Sequence, residues 1–165
     1  MRPAGDGAYE LAPEPLAALP LTRSFKRAIR ILKLHVGGRR FRYSAPWVLL
    51  MGPEGSGKTS LAGATGMSMP VGRPAEDLED IRPALRWWFF DQGVLLDADG
   101  TMIRRRDGRR ADQGTWRKLL SLLDRYRPQR PIDGIVLTIS AGDLVDSEGR
   151  PKAQDEIGHL AESLY

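Results

Sequence analysis

The sequence predicts an α/β sandwich with a largely parallel sheet. Three observations carry that expectation. Val48 to Ala62 reads VLLMGPEGSGKTSLA, an apolar run that breaks into a glycine-rich loop and then into helix-forming residues. Val94 to Asp97 reads VLLD, a second apolar run that ends on a carboxylate. Along the whole chain the periodicities alternate as strand, helix, strands, helix, strand, helix, the order that lays helices on the faces of a mostly parallel sheet.

The bulk properties permit one such domain. The chain has 165 residues, long enough to bury a real core. Its 41% hydrophobic and 28% charged residues are ordinary for a globular protein. There is no cysteine, which excludes a disulfide framework, a thiolate metal site and a thiol nucleophile. A net charge of +4 favours acidic partners, although the arginines gather in two places rather than along one stripe. No apolar run approaches the ~20 residues that span a bilayer. The N-terminus, MRPAGDGAYELAPEP, lacks the basic-then-apolar plan of a signal peptide. The sequence by itself reads as soluble and unexported.

Taken in order, residues 1–20 are rich in Ala, Pro, Gly and Leu and read as a flexible leader. Residues 21–38 read as a basic amphipathic helix. Phe25, Ala28, Ile29, Leu32 and Val36 recur at helical spacing, Lys26, Arg27, Arg30 and Lys33 fill the other face, and Gly37-Gly38 stops it. That helix either packs on the domain edge with a solvated basic face or lies, over 24–36, against anionic headgroups of an inner-membrane surface.

Residues 46–165 read as the nucleotide-binding domain. Trp47 to Met51 is a buried strand, and a helix follows from about Lys58 to Thr65. Gly66 to Arg86 is irregular, and a loop of that length inside a compact domain is commonly functional or mobile. RWWFFDQGVLLDADG reads as two strands around the turn Asp91-Gln92-Gly93, and TMIRRRDGRRAD as a small hairpin turning at Asp107-Gly108. Gln113 to Tyr126 is a helix with Trp116, Leu119, Leu120 and Leu123 on one face. Ile135 to Ser140 is another buried strand, and Lys152 to Tyr165 reads as helical.

The loop carries the chemistry. Gly52 to Thr59 satisfies G-x-x-x-x-G-K-S/T in full, after a predicted strand and opening a predicted helix. Glycines let backbone N–H groups face phosphate oxygens, and the helix start adds its positive end. The expected nucleotide contacts are Gly52, Glu54, Gly55, Ser56, Gly57, Lys58, Thr59 and Ser60, with Glu54 at a variable position free to point outward. Lys58 is expected to reach the β- and γ-phosphates, and Thr59 to ligate Mg²⁺. Asp97 supplies the second carboxylate of the metal shell, and Gly100 completes D-x-x-G, whose glycine N–H can sense a γ-phosphate. These features make the expected fold P-loop NTPase-like, a GTPase-type three-layer sandwich, with ATP or GTP and Mg²⁺ as cofactors. No catalytic residue is assigned.

PWVLLMGPEGSGKTSL, WWFFDQGVLLDADG and WRKLLSLLDRYRPQRPIDGIVLTISAGDLV together resemble the cytoplasmic nucleotide-binding domain of the IcmF/TssM family, from about Arg30 to Tyr165. These are large inner-membrane components of type VI secretion machines. The segment RPQRPIDGIVLTIS is not part of a generic phosphate loop, which makes the match specific. The resemblance implies a cytoplasmic domain attached to transmembrane helices, with other secretion-complex proteins as partners. It places Lys58 and Thr59 in the family's loop, Asp97 and Gly100 in its second motif, and Trp87 and Trp88 on a tryptophan pair that we read as packing.

The chain also departs from the family's pattern. The second motif usually reads D-T-A-G and here is Asp97-Ala98-Asp99-Gly100. The Asp99 carboxylate either assists Mg²⁺ or repels the nucleotide. Thr101 rather than glutamine follows Gly100, so unaided hydrolysis is expected to be slow. The T-K-x-D-like base-reading segment is not present, and Ala141 to Leu144 lacks the required lysine, so the domain is expected to be partial, truncated before the base-reading strand. Ile135 to Ser140 would then lie at an apolar sheet edge.

Two functions stay open at this point. One is a nucleotide-binding switch of a secretion component with slow or no hydrolysis, and the other a catalytically inert scaffold. Nucleic-acid binding through Arg104 to Arg110 is disfavoured because interleaved aromatics are missing. A small-molecule kinase with Arg104 to Arg106 as a lid is the remaining, lesser alternative.

Overall fold

A computed structural model describes residues 15–74, 83–102, 112–145 and 158. Residues 1–14 of the expected leader, the 104–110 arginine run and nearly all of the expected 152–165 helix lie outside the described residues. Leu16–Ala18 forms one turn of 3₁₀ helix, with Leu16 packed against the core.

Four strands form one sheet in the order β2-β3-β1-β4. Strand β1 is Trp47–Met51, β2 Leu85–Phe90, β3 Gly93–Ala98 and β4 Gly134–Leu137. Strand β1 pairs in parallel with β3 on one side and with β4 on the other. Strands β2 and β3 are antiparallel, joined through Asp91-Gln92, with Phe90 opposite Gly93 and Arg86 opposite Asp97. The result is an α/β fold on a mixed, mostly parallel sheet.

Helix α1, Leu21–Val36, buries Ser24, Phe25, Ala28, Ile29 and Leu32. Gly37, at φ 67°, ends it and donates its N–H to the Lys33 carbonyl. Val36 does not join the buried stripe and is 42% exposed. Helix α3, Gln113–Tyr126, starts at Asp112, whose carboxylate caps the Thr115 N–H at 3.0 Å. Its buried face is Trp116, Leu119, Leu122 and Leu123. Leu120, expected in that face, is exposed and Leu122 takes its place, a rotation of the stripe by the neighbour it meets.

Helices α1 and α3 share one face of the sheet. There Trp87 stands edge-on to Phe25, centroids 4.9 Å apart, and its indole N–H donates to Ser24 Oγ at 2.8 Å. The other face carries Leu50, Trp88 and Phe90 around Ala62 of helix α2, Lys58–Gly63. Trp87 and Trp88 thus pack on opposite faces, as neighbours on a strand must. Helix α2 ends two residues earlier than expected.

Strand β4 departs most from expectation. It spans Gly134–Leu137 rather than Ile135 to Ser140, and Ile135, Val136 and Leu137 are 41%, 39% and 36% exposed. It is the outermost strand of the described sheet, so its side chains lack a neighbour on one flank. A short helix α4, Ala141–Val145, follows it. Among the described residues no helix is long and apolar enough to cross a membrane.

Candidate phosphate and metal site

The loop from Gly52 to Gly57 leaves the C-terminal end of β1 and enters α2. Gly55 and Gly57 have φ of 77° and 82°. Ser56 does not line the pocket but anchors the loop, its hydroxyl 2.7 Å from Thr138 Oγ1 just past β4. Thr138 in turn gives its N–H to the Met51 carbonyl at 2.8 Å. Gly52, at φ 155°, packs so closely on Thr138 that a side chain there would overlap it.

A pocket of about 300 Å³ opens over this loop, walled by Lys58, Thr59, Arg86, Asp97, Asp99 and Gly100, with Glu54 and Gly55 at its edge. Lys58 is buried, and its Nζ donates to the carbonyls of Gly52 and Pro53 at 2.8 and 3.0 Å, wrapping the loop around the ammonium. Thr59 donates its hydroxyl to Asp97 Oδ2 at 3.0 Å. Gly100 touches the loop backbone: a Cβ there would sit 2.6 Å from the Gly52 carbonyl oxygen and 2.9 Å from the Glu54 nitrogen. Glu54 is exposed, and Ser60 stands exposed on α2 outside the pocket lining. The Asp99 carboxylate accepts the Thr101 N–H at 2.7 Å, which holds it at the pocket wall.

Burial sets the electrostatics. It pulls the Lys58 ammonium below its usual range, against the opposing pull of Asp97, Asp99 and Glu54. It pushes the Asp97 carboxyl up, against the Thr59 hydrogen bond and the Lys58 charge. Each charged form is therefore short of solvation, and an anion beside Lys58 or a cation beside Asp97 would restore it.

Two groups were missed by sequence reasoning. Arg86, on β2, donates to Thr59 Oγ1 at 2.9 Å and lies 3.6 Å from Asp97 Oδ2. The signal for it was present: a two-residue turn at Asp91-Gln92 pairs 90 with 93 and hence 86 with 97. Arg127 and Asp133 form the second group. Arg127 is fully buried, bonds Asp133 Oδ2 at 2.8 Å, and lies over the rings of Trp47 and Tyr43 at 4.9 and 5.1 Å. Asp133 also accepts the Trp47 N–H at 2.6 Å.

That latch falls in the segment RPQRPIDG on which the resemblance rests. Residues 109–159 match the family described as the IcmF-related N-terminal domain. The chain is 34% identical over 161 residues to the type VI secretion system component TssM1 of Pseudomonas aeruginosa, an alignment that covers 92% of this chain.

The chain belongs to the IcmF/TssM family.

It spans 14% of the length of that TssM relative. No solved structure matches the chain. Six of the expected residues, Glu54, Gly55, Lys58, Thr59, Asp97 and Gly100, line this one pocket, from two separate stretches of sequence, 54–59 and 97–100.

Proposed function

We propose that this chain is a nucleotide-binding module of an IcmF/TssM-like type VI secretion component, of P-loop, GTPase-like kind, taking ATP or GTP and turning it over slowly or not at all. One observation carries the reading: Lys58, Thr59 and Asp97 meet at the C-terminal ends of β1 and β3, under a loop whose backbone Gly100 touches. Ligands of open α/β sheets bind at that end.

The residues present fit the expected groups. Lys58 and the loop amides at the start of α2 would hold phosphate, and the contact of Gly100 with the loop supports a cradle shaped for a close backbone approach. Thr59 Oγ1 and Asp97 Oδ2 are the hard oxygen donors that suit Mg²⁺. When bound, Mg²⁺ would neutralise phosphate charge. Slow turnover is supported by Thr101, which stands where a water-orienting glutamine would, its N–H already on Asp99.

Other proteins of the secretion complex are the proposed partners, on the strength of the TssM relative. The exposed basic side chains Lys26, Arg30 and Lys33 of α1 support a position near an anionic inner-membrane surface, on its cytoplasmic side. The second reading, an inert scaffold, draws on the Asp99 carboxylate at the pocket wall.

Titration with fluorescent ATP and GTP analogues in Mg²⁺ separates the two. The wild type is expected to bind saturably, and Lys58→Ala to weaken binding by about tenfold or more, since a charged hydrogen bond contributes about 1.5–3 kcal/mol. Binding indifferent to Lys58→Ala, or none at all, leaves the scaffold reading.

A further inference from the structure

We infer that the Arg86 guanidinium stands in for the divalent cation of this site, so that the chain holds a nucleoside polyphosphate with little dependence on Mg²⁺. The inference rests on the nucleotide reading given above and concerns how that site handles charge.

The geometry is specific. The two oxygens that would ligate a metal, Thr59 Oγ1 and Asp97 Oδ2, lie 3.0 Å apart. Arg86 Nη1 engages both, at 2.9 and 3.6 Å. Mg²⁺ binds oxygen at about 2.0–2.1 Å, so an ion shared by these two oxygens on the side where Arg86 lies would fall within van der Waals distance of that nitrogen. A second positive charge at such range is excluded by repulsion as well as by volume. Arginine and metal are therefore alternatives on that side of the oxygen pair.

Three features keep Arg86 there. Its Cα is fixed opposite that of Asp97 by the β2–β3 register, not by a loop. Its side chain is 11% exposed and that of Asp97 is 4% exposed, so the pair is poorly screened by water. The guanidinium also lines the pocket beside Lys58, where its planar fork suits phosphate oxygens. Lys58 and Arg86 are the two cationic side chains of that lining.

The test compares analogue affinity in excess Mg²⁺ and in EDTA for the wild-type chain, Arg86→Gln and Arg86→Lys. The wild type is expected to change by no more than about threefold between the two conditions. Arg86→Gln is expected to lose about tenfold in EDTA, the worth of a charged contact, and to regain it in Mg²⁺. Arg86→Lys, which keeps the charge, should fall between them. A wild type that loses about tenfold or more in EDTA overturns the inference while leaving nucleotide binding intact. An analogue that binds no form in either condition overturns the nucleotide reading itself. Should Arg86→Gln fail to fold by circular dichroism, the wild-type comparison decides alone.

Discussion

At the residue scale, the candidate site depends on atoms that cannot be enlarged as much as on charges that cannot be removed. Gly100 is the sharpest case. A methyl group there would meet the Gly52 carbonyl and the Glu54 nitrogen, both backbone, so the loop itself would have to move. Gly100→Ala is expected to cost about 1–3 kcal/mol of stability by overpacking. It should weaken nucleotide-analogue binding by at least about tenfold, because a shifted loop no longer aims its amides. Urea unfolding and an analogue titration check both parts. Unchanged affinity would show that the Gly100 contact does not shape the loop. Of the residues expected from the motif, Glu54 is exposed yet lines the pocket, and Ser60 is exposed outside its lining, because a motif fixes the backbone path and not where each variable side chain points.

At the element scale, the Arg127–Asp133 latch ties the end of α3 to the first residue of β1 and to the approach to β4. Burial pushes the Asp133 carboxyl up, but the Trp47 N–H and the guanidiniums of Arg127 and Arg130 together outweigh it and hold the group below the usual 3.8. A depressed carboxyl contributes stability that is present above that usual value and lost as pH falls through the lower folded one. Asp133→Asn is expected to remove about 3 kcal/mol at neutral pH, since it leaves the buried Arg127 without its counter-charge. It should also flatten the acid limb of the stability curve below about pH 4. Chemical denaturation at several pH values reads both effects. An acid limb as steep as that of the wild type would mean that Asp133 is not its source.

The elements were legible where local pattern suffices. Helix α1 shows four of its five expected apolar residues buried, and α3 begins and ends where its periodicity put it. Leu120 and Leu122 could not be told apart in advance, because both complete a helical stripe with Trp116, Leu119 and Leu123. Which one turns inward depends on where α1 and the sheet lie. The Arg127–Asp133 pair was hidden for a related reason. An arginine in a loop-like segment reads as solvated until the rings of Trp47 and Tyr43 are brought over it.

At the scale of the whole molecule, the described residues cover the two faces of the sheet unequally. One face lies under α1 and α3, while the other has α2, of six residues. Beside α2 an apolar groove of about 420 Å³ reaches Val136 of β4. Within the described sheet β4 is an edge strand with three exposed apolar residues in succession, the arrangement that promotes edge-to-edge pairing. Val136→Lys is expected to reduce concentration-dependent association of this chain, as read by light scattering. Its own stability should change by no more than about 0.5 kcal/mol, because the site is partly exposed. Association that does not respond to the lysine would place the contact elsewhere.

The sequence by itself determined the class of the fold, the phosphate-loop pattern and the family, because each is written in consecutive residues: apolar runs, glycines at fixed offsets, and a carboxylate closing a strand. The tertiary structure decided what those residues meet. It set the buried Lys58 and Asp97 side chains at one pocket, left Ile135, Val136 and Leu137 of β4 exposed, and turned the Arg86 side chain onto Thr59 and Asp97. Local sequence dictates backbone conformation through sterics and periodicity. Charge, burial and the identity of a neighbour are properties of the packed chain, fixed only when strands distant in sequence come into register.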